Sequence, residues 1–197
     1  MSVSLLQHAM DGVVADADDK LARLSAGHVG VGAATLRAID LDHLGGLIGG
    51  EDVPRVAIGM TLCLQPSLKM LILLSPEARF DLARAVIGPA GAEVSLADSL
   101  LQEIGNILGS CVANALADFL GRGVTTSTPE VGTDLAGAVV ACALAHLGHV
   151  EETVLLLDLP VLLDGIATDC HTVLLFDAEA GRLLMRGPDD PETGRLS

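Results

Sequence analysis

The sequence predicts an α+β domain made of two related halves around one mostly antiparallel sheet of about six strands. Three observations carry that expectation. Ser4-Leu5-Leu6-Gln7-His8-Ala9-Met10-Asp11 lines up without a gap on Ser99-Leu100-Leu101-Gln102-Glu103-Ile104-Gly105-Asn106, 95 positions later. Each copy is followed by the same order of segments: long helix, extended stretch, short helix, two strands. Half of the residues are hydrophobic and only three are aromatic, all Phe, so Leu, Val, Ile and Ala must fill the core. A single domain is expected over residues 1–187, with halves at 4–88 and 95–187 and a flexible tail at 188–197.

In the first half, Ser4–Ser25 reads as a helix, with Leu6, Met10, Val13, Ala17, Leu21 and Leu24 on one face. Val29–Ile39 reads as extended and Leu41–Ile48 as a short helix or turn. Arg55–Leu64 and Leu68–Leu74 read as a hairpin turning at Gln65-Pro66-Ser67. Ser75-Pro76 opens a helix, Ser75 as N-cap and Pro76 in the first turn, which runs to about Val86 and stops at Gly88. Gly88–Gly91 is the expected linker.

In the second half, Ser95 is the expected N-cap, with Asp98 three residues on, of a long helix through Ser99–Gly121 that Gly121 ends. Gly123–Val131 is expected to be extended. Thr133–Leu147 is expected to be a helix capped by Thr133 or Asp134. Glu152–Leu162 and His171–Phe176 form a second expected hairpin, and Arg182–Arg186 a last short strand.

The formal charge of −15 disfavours a nucleic-acid partner, because an acidic surface repels phosphate. No apolar run reaches the roughly 18 residues a membrane span needs. Met1–Gly12 shows no basic segment followed by a long apolar run, as a secretory leader would. The four cysteines, Cys63, Cys111, Cys142 and Cys170, are scattered through apolar stretches and read as buried free thiols. Together these point to a cytoplasmic protein. His146 and His149 lack the further ligands a metal site requires, so no metal is expected.

The long helix of the second half has an unusual polar face. It carries Ser99, Gln102, Glu103, Asn106, Ser110 and Ala113, with Gly105 and Gly109 beside them. Glu103 and Asn106 stand at i and i+3 and point the same way. Each interior glycine costs about 1 kcal/mol relative to Ala. That cost suggests close approach by another helix or by a partner's loop.

Ser99-x-x-x-Glu103-x-x-Asn106, followed by Gly109 and Asn114-Ala115-Leu116, resembles the CheC/CheX/FliY family of chemotaxis phosphatases, over roughly Ser4 to Phe176. The resemblance implies a CheC-like, pseudo-two-fold domain with its two long helices side by side on the sheet. It also implies an activity: removal of the phosphoryl group from the aspartate of a CheY-like response-regulator receiver. Asn106 would orient the attacking water and Glu103 would pair with the receiver's lysine. Ser99, Gln102, Gly109 and Ser110 would dock the partner. The chain would need no cofactor of its own, the receiver supplying Mg2+. Asp134–Ala138 matches the stretch with which CheC-like proteins dock the deamidase CheD.

In the first half His8 stands where Glu103 stands and Asp11 where Asn106 stands. His8 cannot pair with a lysine as a carboxylate does, and Asp11 repels phosphoryl oxygens, so this copy is expected to be a degenerate, inactive site. The competing reading is a non-catalytic binding module: a FliM-like scaffold, a CheD-binding protein or an adaptor for the phosphorylated receiver. Two fused halves also favour a monomer.

Overall fold

The structure is a computed structural model that describes residues 2–64, 68–147, 153–176 and 178–186. The first half contains α1 (Ser2–Leu24), β1 (Val29–Val31), β2 (Thr35–Asp40), α2 (Leu41–Leu47), β3 (Pro54–Cys63), β4 (Leu68–Leu74) and α3 (Pro76–Ile87). A short 3-10 turn, Gly88–Ala92, leads into the second half. There follow α4 (Val94–Leu120), β5 (Thr125–Thr126), β6 (Glu130–Leu135), α5 (Ala136–Ala145) and β7 (Thr153–Asp158). β8 (Val161–Leu163), β9 (Ile166–Ala167), β10 (Cys170–Phe176) and α6 (Ala178–Arg186) complete it.

The main sheet has seven strands in the order β2-β7-β10-β4-β3-β5, with β6 also pairing β3, and every pairing is antiparallel. The two-residue β5 makes the difference from the six strands expected. The register reveals the two-fold. At the centre, Cys170 faces Leu74 and Phe176 faces Leu68, so β10 and β4 play equivalent parts. At the edges, Thr35 of β2 pairs Asp158 of β7, while Glu130 of β6, 95 positions after Thr35, pairs Gly59 of β3. Each half therefore gives its edge strand to the other half's sheet. β8 and β9, inserted before β10, form a small separate sheet with β1, in which β8 pairs both β1 and β9.

Side-chain alternation along the strands divides the interior into two layers. On one face, Val56, Ile58, Met60 and Leu62 pack with α1, α3, α4 and α6 through Leu6, Met10, Leu82, Leu101, Leu108 and Leu184. On the other, Ala57, Leu71, Leu73, Leu156 and Val173 lie under α2 and α5 through Leu44, Ile48, Val140 and Ala143. Each fully buried Leu or Ile contributes about 1.5–3 kcal/mol of hydrophobic stabilisation. Among the described residues, no helix is long and apolar enough to cross a membrane.

Several expected boundaries hold. Ser75 accepts the Ala78 N–H as N-cap of α3, Gly88 ends that helix at φ 69°, and Gly121 ends α4 in the left-handed region. Four differ. α4 starts one residue before Ser95, which is not its N-cap; Ser95 Oγ instead donates to Glu93 Oε1 at 2.8 Å. Asp98 is not part of a capping box, because it pairs with the largely buried Arg79 of α3. Thr133–Leu135 belong to β6, so the helix begins at Ala136, without a side-chain cap. Arg182–Arg186 lie in α6, which buries Ala180, Leu183 and Leu184 at helical spacing. The turn at 65–67, His149 and the tail at 188–197 lie outside the described residues.

The two glycines of α4 face inward, toward β3. A Cβ at Gly105 would sit 2.6 Å from Ile58 Cγ2 and 3.4 Å from Pro129 Cβ, and one at Gly109 would run into Met60 Sδ. α4 thus lies closer on the sheet than a helix with side chains there could. Gly105→Val should cost about 1–3 kcal/mol through overpacking, read as a lowered urea midpoint; an unchanged midpoint would refute this packing. Arg79→Ala, which strands Asp98 and removes the guanidinium 5.5 Å from the Phe80 ring, should cost about 2–3 kcal/mol in the same experiment.

Candidate functional site

α4 is a closely packed helix on which to mount a polar pair. Its inner face, Leu101, Ile104, Leu108, Val112 and Leu116, is buried to 1% exposure or less, which fixes the helix against the sheet. Its outer face holds Ser99, Gln102, Glu103 and Asn106, all exposed. Ser99 Oγ donates to the Ser95 carbonyl at 2.9 Å, a bond within the helix. These four side chains form one wall of an open groove of about 420 Å3.

The facing wall is Thr126-Ser127-Thr128-Pro129, within the stretch expected only to be extended. Ser127 fastens this segment to β3 twice. Its N–H donates to the Thr61 carbonyl at 2.9 Å and its Oγ accepts the Thr61 N–H at 3.0 Å. Pro129 is buried against Gly105 while Thr128 stays exposed.

The structure thus brings together Ser99, Gln102, Glu103 and Asn106, but not every expected docking residue. Gly109 is buried on the inner face of α4 and cannot meet a partner, a correction that follows from how closely it lies over Met60 of β3. Gly105 and Ala113 are buried as well. Ser110 is half-buried, one turn beyond Asn106, and outside the groove lining. Asp134 is exposed on β6 and lines a different groove of about 540 Å3, together with Ala57, Gly59 and Leu71 on the α5 side of the sheet.

The matching place in the first half is built differently. His8 and Asp11 are exposed with Nδ1 and Oδ2 3.8 Å apart. Gln7, the counterpart of Gln102, turns inward. Its Oε1 accepts the Leu36 N–H at 2.7 Å, and its Nε2 donates to the Ala34 carbonyl and to Asp11 Oδ1, each at 3.0 Å. One carboxamide therefore bridges α1 to the chain entering β2.

Between α1 and α4 lies a polar contact on the two-fold itself. Asp16 and Cys111 are 95 positions apart, so they are equivalent residues of the repeat, and Cys111 Sγ donates to Asp16 Oδ2 at 3.2 Å. Lys20 Nζ reaches the same oxygen at 2.7 Å. The bond from Lys20, then that from Cys111, lowers the Asp16 pKa, and the bond to Asp16 raises that of Lys20. The Asp16 contribution to stability is present above the ordinary carboxylate value of 3.8 and is lost as pH falls through the lower folded value.

Burial pushes the Cys111 thiol up to about 11 and the Cys170 thiol up to about 12. Both stay protonated and inert near neutral pH, whereas Cys63 and Cys142 are exposed. A thiol reagent at about pH 8 should therefore label two cysteines in the native protein and all four after denaturation. Rapid native labelling of Cys111 would contradict the packing of α1 on α4.

The sequence profile of the CheC-like family matches residues 96–132, which contain the whole groove. The protein "CheY-P phosphatase CheC" of Bacillus subtilis is 28% identical over 128 residues, 62% of this chain and 61% of that protein. The chain spans about three fifths of the length of the curated relatives it matches. Among solved structures, Thermotoga maritima FliY superposes with a TM-score of 0.71 at 12% identity, over 94% of each chain. The FliM middle domain from H. pylori superposes with a TM-score of 0.63 at 8% identity, over 94% of this chain and 97% of that one.

Proposed function

From the CheC/CheX/FliY family that these matches support, we propose that the chain is a phosphatase for the aspartyl phosphate of a CheY-like receiver domain. The observation that carries this reading is the exposed Glu103–Asn106 pair, one turn apart on a packed helix and lining an open groove of about 420 Å3. The single-domain architecture and a cytoplasmic setting go with it.

An aspartyl phosphate is an acyl phosphate, already activated toward water. What accelerates its hydrolysis is a water held in line with the bond to the aspartate. The Asn106 carboxamide both accepts and donates, and it is neutral, so it holds a water beside a dianionic phosphoryl group without repelling it. The water oxygen bonds to phosphorus, the bond from phosphorus to the carboxylate oxygen breaks, and inorganic phosphate leaves. The Glu103 carboxylate forms a charge-assisted bond to the receiver's lysine and sets the register of the two proteins. Mg2+ held by the receiver offsets the charge on the transferred group.

The first-half site is silent in this reading, because Asp11 presents a charge where Asn106 presents an amide. A CheD-type deamidase is the second partner, at Asp134–Ala138, where Asp134, Leu135 and Ala138 are exposed. The alternative is a binding module without turnover, which the likeness to the FliM middle domain favours at the level of the fold.

The lifetime of a phosphorylated CheY-type receiver separates the two. The chain has no Trp and no Tyr, so receiver tryptophan fluorescence can be followed without background. Acceleration of phosphate loss is expected, with Asn106→Ala losing about 10²-fold of it, as expected when a water-orienting group is removed. Asp11→Asn should leave it unchanged. No acceleration by the wild-type chain, with binding intact, would leave the adaptor or scaffold.

A further inference from the structure

The two halves of the repeat use the same residue differently at Gln7 and Gln102. Gln7 grips an extended backbone from the side. Its carboxamide accepts the N–H of Leu36 and donates to the C=O of Ala34, two residues apart on the same strand edge. An amide side chain matches both partners of an extended segment at once, as a neighbouring strand would. The counterparts of Ala34 and Leu36 in the second half are Pro129 and Val131. Among the described residues, Gln102 makes no such bond to them; it is exposed on the groove.

The reason is local. Met10 of α1 is replaced by Gly105 in α4, and Gly105 lets the buried Pro129 come within 3.4 Å of where its Cβ would be. The far-side tie is common to both halves, Gly32 N–H donating to the Pro160 carbonyl at 2.8 Å as Ser127 N–H donates to that of Thr61, and the Ser127 Oγ adds a second bond that Gly32 cannot make. What remains between α4 and Thr126–Thr128 is a slot with a free carboxamide on one wall and exposed Thr128 on the other.

We propose that this slot receives an extended loop of the receiver partner, the loop beside its phosphorylated aspartate, and that Gln102 bonds to that loop's backbone as Gln7 bonds to the chain's own. The proposal rests on the phosphatase reading for the identity of the partner. Gln102 is the residue next to Glu103 and lies one turn before Asn106, so a loop held there is adjacent to the group being hydrolysed. The bonds are to main chain, so the grip depends on the loop's shape more than on its side chains. Thr128 closes the slot from the other side and limits the thickness of what enters. In the first half the same position is filled by the chain itself, so that site is closed by Gln7 as well as disabled by Asp11.

The test measures binding separately from hydrolysis. The probe is a CheY-type receiver held in its phosphorylated form with beryllium fluoride. Gln102→Ala should raise the Kd about tenfold, the loss of two neutral hydrogen bonds. Thr128→Arg, which fills the slot from an exposed position, should raise it at least as much while leaving the urea midpoint unchanged. Wild-type Kd in both variants, with acceleration still abolished by Asn106→Ala, overturns the slot and leaves the phosphatase intact. A chain that binds the probe through Gln102 and Thr128 yet never accelerates hydrolysis upholds the slot and removes the phosphatase. No binding of the probe by the wild-type chain overturns both.

Discussion

The pairing of β2 with β7 and of β6 with β3 is the constraint from which the rest of the architecture follows. Each half contributes a helix, a central hairpin and an edge strand, and that edge strand completes the sheet of the other half. Exchange of the edges brings β4 and β10 together at the centre and lays α1 beside α4 across the two-fold axis. Asp16 and Cys111, equivalent in the repeat, meet on that axis. A symmetric contact there would set two acids or two thiols against each other. The chain instead sets an ionised Asp16 against a protonated Cys111, with Lys20 supplying the counter-charge.

The same frame carries two unlike surfaces. Close seating on β3, made possible by Gly105 and Gly109, keeps α4 fixed while its outer face stays open. α1 keeps side chains at both positions, Met10 and Val14, and has its polar face occupied by Gln7. Duplication supplied a scaffold with two symmetric places, and local substitutions left them with unlike surfaces: Gln102 lines a groove, while Gln7 is bonded to the chain's own backbone.

Much of this was legible in the sequence because the repeat was. Ser4–Asp11 against Ser99–Asn106 located both long helices, and Ser75-Pro76 located α3. The misjudged places had a signal that the same repeat held. Gly105 is the counterpart of Met10, an obvious core residue, so the repeat itself marked Gly105 as inward-facing. A helical wheel alone could not, since glycine has no side chain to declare a face. Thr35–Asp40, moved by 95 positions, gives Glu130–Leu135, the strand that was read partly as helix because Thr133 and Asp134 look like caps. Arg182–Arg186 looked like a strand only when separated from Ala180, whose burial shows the helical period. The wall at Thr126–Pro129 carried no signal: small polar residues before a strand are ordinary, and only tertiary contact with Thr61 turns them into half of a groove.

Strand exchange also governs how the chain comes into being. As synthesis proceeds, β2 must wait for β7, and β1 for β8, more than about 110 residues downstream. The first half therefore emerges with its strand edges unpaired and its share of the apolar core uncovered. Contacts so distant in sequence form slowly, because a large loop must close before they bring any gain. A newly made first half is thus a natural client for chaperones, and the interval ends only when β10 and its neighbours leave the ribosome.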